Sequence, residues 1–66
     1  MSKLGEWVKV QPATVAELAA ELGVGRVALH RYMNGRAMPR PAMVAKIEML
    51  TGGAVTAADL NAAYAA

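Results

Sequence analysis

Residues 14–35 read TVAELAAELGVGRVALHRYMNG, and the order of residue types in this stretch decides the fold. Thr14-Val15-Ala16-Glu17 is a capping box, in which the threonine hydroxyl takes an orphan backbone N–H while the glutamate carboxylate reaches back to the threonine N–H. Val15, Leu18, Ala19 and Leu22 then fall on one helical face, with Glu17 and Glu21 turned to solvent. Gly23 stops that helix, because glycine enters the left-handed conformation at no steric cost. From Gly25 the pattern resumes. At about 100° per residue Ala28, Leu29 and Tyr32 share one side, while Arg26, Val27, His30, Arg31 and Asn34 spread over the opposite arc. Gly35 supplies the second stop. Two short helices joined this tightly must cross closely, which asks for a small residue at Ala19 and apolar residues at Leu18, Leu22, Val24, Leu29 and Tyr32. The sequence meets each demand.

On the N-terminal side, Leu4, Trp7, Val8 and Val10 recur at near-helical spacing behind Ser2, a cap residue, although Gly5 weakens the helix. Pro12 then breaks the pattern. On the C-terminal side, Arg36-Ala37-Met38-Pro39-Arg40 reads as a basic loop. Pro41 suits the first turn of a fourth helix, with Met43, Ile47 and Leu50 as its buried stripe and Val44 on the flank. Gly52-Gly53 ends that helix. Thr56-Ala57-Ala58-Asp59 starts a fifth with Asp in the usual Glu or Gln position, and Val55 and Leu60 occupy the two positions of a hydrophobic staple across the cap. The expectation is an all-α, five-helix domain over residues 1–66, with the helix-turn-helix at about 15–34.

Composition narrows the function. Cysteine is absent and there is one histidine, so disulfides, thiolate metal sites and a structural zinc are not expected. Ser2 is terminal and the acids lie mostly on separate helices, so no convergent catalytic group is in view. No apolar run approaches the roughly 18–20 residues that span a bilayer, and a soluble, cytoplasmic protein without cofactor is expected. The formal net charge is only +2, but its distribution is uneven. Between Glu21 and Glu48 there is no acid, while Arg26, Arg31, Arg36, Arg40 and Lys46 make up five of the seven basic residues. A solvated basic face and a footprint for a polyanion both fit that segregation.

The phrases LAAELGVGRVALHRYMNG (18–35) and IEMLTGGAVTAADL (47–60) resemble the recognition unit and closing helices of the phage Cro and repressor family of helix-turn-helix proteins, of xenobiotic-response-element type, especially its short bacterial and prophage members. The resemblance implies a lambda-repressor-like fold that binds double-stranded DNA. By position, it places Gly25 at the lead into the recognition helix, Arg26 and Val27 first at the base edges, and His30 and Arg31 one turn later. It makes Asn34 and Arg36 phosphate contacts just beyond the helix. The residue opening the second helix is commonly a polar contact such as Gln, and here it is Val15. Thr14, immediately before it, offers its hydroxyl or the helix N-terminus to a phosphate instead. Arg40, at the end of the basic loop, is expected to meet a phosphate as well.

Residue chemistry agrees with that placement. Arginine presents a planar fork that matches guanine O6 and N7, asparagine donates to phosphate oxygens, and valine meets a thymine methyl. Trp7 and Tyr32 read as core residues, and the methionines as gap fillers except Met38 in the loop. The competing class is a small protein-interaction module, such as an antitoxin or anti-repressor that keeps the fold, for which the apolar C-terminal helix is suited. The acid-free face of the third helix favours DNA. A regulator acting by operator occupancy is then expected, a repressor rather than an activator. A lone recognition helix discriminates poorly among genomic sites, so a homodimer on an imperfect palindrome is expected, weak or monomeric when free. Val55, Leu60 and Tyr64 are its candidate contact.

Overall fold

The computed structural model describes residues 2–65. Along them run α1 (Lys3–Lys9), α2 (Val15–Leu22), α3 (Arg26–Met33), α4 (Pro41–Leu50) and α5 (Ala57–Ala65), and no strand occurs among the described residues. The principal extents are 27 × 22 × 20 Å, only about two helix diameters across. Each helix therefore has one buried side and one outer side.

The caps read from the sequence are formed. Ser2 Oγ accepts from the Gly5 N–H at 3.0 Å to start α1. At α2, Thr14 Oγ1 accepts from the Glu17 N–H at 3.1 Å, and Glu17 Oε1 accepts from the Thr14 N–H at 2.8 Å. Gly23 closes α2 at φ +77°. The short turn through Val24 to Gly25 sets α3 against α2, with Ala19 fully buried in α2. At α5, Thr56 and Asp59 reproduce the reciprocal pattern, since Asp59 Oδ2 accepts from the Thr56 N–H and Thr56 Oγ1 from the Asp59 N–H. The shorter Asp side chain still completes the box.

The core gathers Leu4 and Val8 of α1, Leu18, Ala19 and Leu22 of α2, Leu29 of α3, Val44 and Ile47 of α4, then Val55 and Leu60. Trp7 and Tyr32 pack against it half-buried, as read from their types. Among the described residues Thr51 is the buried polar side chain. Its hydroxyl donates to the Ile47 carbonyl at 2.9 Å and accepts from the Val55 N–H at 3.2 Å. No buried polar side-chain atom among the described residues lacks a partner, as a stable interior requires.

Three expectations need correction. In α4 the deepest positions are Val44 and Ile47, while Met43 and Leu50 are only partly buried. The helix packs against both α2 and α5, which turns its apolar stripe toward Val44. Met38 also departs from expectation, packing on the core beside buried Pro39; among the described residues the exposed methionine is Met49, at 84%. The segment between α3 and α4 is thus a folded corner, with Arg36 and Arg40 outside and Ala37, Met38 and Pro39 tucked in. Finally, Val55 and Leu60 lie fully inside, so the expected intersubunit contact loses both. Gly52 and Gly53, at φ +61° and +86°, bend the chain back so that Val55 drops into the core.

Candidate nucleic-acid interface

Helix α3 is anchored by Leu29, which is fully buried, and by half-buried Ala28, Tyr32 and Met33. The residues left over, Arg26, Val27, His30 and Arg31, are all exposed. They span an arc of about 140° at helical pitch. The same periodicity that builds the core therefore puts three cationic or imidazole side chains and one valine on a single outer strip. Val27 is 69% exposed. No acid lies on this helix.

The far end of α3 is held from three sides. Gly35 stands at φ +68°, and the Arg36 N–H donates to the Arg31 carbonyl at 2.9 Å while the Gly35 N–H donates to that of Tyr32. This pair of bonds is a Schellman closure. Ser2 Oγ donates to the Met33 carbonyl, tying the start of α1 to the end of α3. The α5 backbone also approaches closely: a Cβ on Gly35 would stand 2.9 Å from the Ala63 carbonyl carbon. Ser2 and Gly35 therefore fix the position of the C-terminal end of α3. The sequence marked them only as a cap and a stop, because their second partners come from distant segments.

The remaining sequence-expected contacts, Thr14, Gly25, Asn34, Arg36 and Arg40, are all exposed. Asn34 caps the C-terminus of α3 and is exposed, and it also lines the groove formed with Ser2, Lys3, Gly35 and Asp59. Arg36 and Arg40 are exposed at either end of the folded corner. Gly25 is exposed at φ −78°, with open space where a Cβ would stand. Thr14 is exposed at the start of α2, but its N–H and hydroxyl oxygen already serve Glu17. The Thr14 backbone N–H, and then its hydroxyl, hold the Glu17 carboxyl below the ordinary carboxylate range, so this helix start carries its own negative charge.

Capping differs between the helices in a way that bears on an anionic partner. α1, α2 and α5 each have a first-turn acid, Glu6, Glu17 and Asp59. α3 and α4 have neither a first-turn acid nor a side-chain cap, their N-cap residues being Gly25 and Arg40. The positive ends of these two helix dipoles are thus uncompensated by the chain. They flank the same basic segment. Among the described residues no group of three or more His, Asp or Glu side chains is placed to hold a metal ion, and no helix is long and apolar enough to cross a membrane.

A family model described as a helix-turn-helix domain matches residues 11–62, from just after α1 to within α5. No curated protein and no solved structure matches the chain.

Proposed function

The chain belongs to the helix-turn-helix domain family, and from that premise, which makes it a DNA-binding regulator, we propose that it acts as one unit that reads a specific operator in the major groove through α3. The observation that carries this reading is the outer strip of α3, where Arg26, Val27, His30 and Arg31 are exposed together with no acid among them. Arginine forks fit guanine edges, and an α-helix fits the width of the major groove. Gly25 lets the chain lead into that helix, while Thr14, Asn34, Arg36 and Arg40 serve the sugar-phosphate backbone around it. At Thr14 the contact must come from the outer side of the hydroxyl, against the charge of Glu17.

Regulation follows from occupancy. A helix-turn-helix unit acts most simply by covering an operator and excluding polymerase, and on this reading it is a Cro-like repressor of bacterial or prophage origin, cytoplasmic and associated with the nucleoid. It needs no cofactor and catalyses no reaction. On DNA it works as a homodimer on an imperfect palindrome. Selection of bound duplexes from a random pool tests this directly. The expected product is a short motif with two inverted halves, and the complex should weaken steeply as salt rises. A pool without any enriched motif at low salt overturns sequence-specific binding.

A further inference from the structure

The exposed strip of α3 contains one side chain that neither packing nor helix formation explains. Among the described residues the large apolar side chains left exposed are Val10, Val27, Met49 and Tyr64. Val10 is the C-cap of α1, where helix propensity no longer acts, the unbranched Met49 suits the helix it sits in, and Tyr64 stands in the last turns of α5, off the α3 strip. Val27 is different. It lies in the first turn of α3, where its branched Cβ disfavours helix relative to alanine, and at 69% exposure little packing offsets that preference.

Its surroundings restrict what can cover it. Helical spacing makes His30 and Arg31 its neighbours on the strip, with Arg26 beside it, all polar or charged and longer. The branched Cβ also holds the two methyl groups in essentially one rotamer. Valine is too short to follow its neighbours outward, so it meets only a group that projects toward the helix. Most base-edge groups in the major groove are hydrogen-bond donors or acceptors, which a valine would leave unpaired. The apolar exception is the methyl on C5 of thymine.

We propose that Val27 reads the C5 methyl of a pyrimidine at one fixed operator position, so that 5-methylcytosine serves in place of thymine there and the protein senses cytosine methylation at that site. The inference rests on the DNA-binding reading above. It names the chemical group recognised.

The test uses duplexes selected from a random pool, resynthesised with each thymine in turn replaced by uracil, which lacks only the methyl. Wild-type protein should lose about fourfold in affinity at one position per half-site, the value expected for one buried methyl. At that position 5-methylcytosine should bind about fourfold tighter than cytosine. Val27→Ala should remain folded by circular dichroism and bind the thymine and uracil duplexes equally. Equal wild-type affinity for every thymine and uracil pair overturns the methyl-reading role alone, as does full methyl sensitivity retained in Val27→Ala. Absence of binding to any duplex at low salt overturns the DNA-binding reading, and this proposal with it.

Discussion

Arg26 and Arg31 differ from Arg36 and Arg40 in what surrounds them. The first pair stands on the outer strip of α3, pointing with Val27 away from a buried Leu29, whereas the second pair brackets a corner whose middle is folded inward. If the first pair forks onto guanine, Arg26→Ala or Arg31→Ala should each cost about 1–3 kcal/mol and relax preference at one or two base pairs. Arg36→Ala and Arg40→Ala should instead weaken all duplexes alike and lower the salt slope by about one unit each, because phosphate contacts carry no sequence information. Binding titrations across salt, on matched and mismatched duplexes, separate the two patterns. An Arg26→Ala variant with unchanged affinity and preference would remove the strip from the reading surface. Glycines give a second contrast. Gly35 and Gly52 both have positive φ, but a Cβ meets the Ala63 carbonyl at Gly35 and open space at Gly52. Gly52→Ala should cost roughly 1–2 kcal/mol for the left-handed backbone. Gly35→Ala adds overpacking of about 1–3 kcal/mol and should melt at a clearly lower temperature. Equal losses at both sites would mean that α5 does not press on the end of α3.

At the scale of the helices, the capping boxes of α2 and α5 link stability to pH. The carboxyls of Glu17 and Asp59 are both held below their ordinary range, in each case chiefly by a backbone N–H, from Thr14 and Thr56 respectively, with Lys3 contributing weakly at Asp59. A carboxylate with a lowered folded pKa contributes stability that is fully present above its unfolded value and is lost as pH falls through the folded one. Thermal melts should therefore show a stability loss on acidification through and below the ordinary carboxylate range. That loss should be smaller in Glu17→Gln and Asp59→Asn, and an unchanged acid limb in both variants would contradict the assignment. These caps were legible in the sequence because their partners lie three residues apart, as are the glycine stops of α2 and α3. Burial that depends on distant segments was not. Met38 and Val55 look like a loop methionine and a spare staple residue until the corner after α3 and the turn at Gly52-Gly53 fold them inward. The outer strip of α3 was legible for the opposite reason, since one short helix with a clear buried side leaves its other side determined.

For the whole molecule, the burial of Val55 and Leu60 changes how two copies could meet. Of the three residues expected at the contact, only Tyr64 remains available, at 52% exposure, on a helix whose other outer positions include Ala57, Ala58, Asn61 and Ala62. One half-exposed tyrosine among alanines and an asparagine offers little of the apolar surface that stable interfaces, at roughly 1,200–2,000 Å², bury. The free protein should therefore sediment as a monomer at micromolar concentration. DNA changes the balance. When two half-sites lie about one helical turn apart, roughly 34–36 Å, each bound copy raises the effective concentration of the other, so a contact too weak in solution can form on the operator. Titration of a full operator should then be cooperative, whereas a half operator should bind one copy with the intrinsic affinity. Tyr64→Ala should abolish the cooperativity and leave half-site affinity unchanged, because Tyr64 is remote in sequence from the α3 strip and contributes to no base contact in this reading. If the full operator binds both copies independently, with equal affinity per half-site, the homodimer is excluded and the chain reads DNA as a single domain.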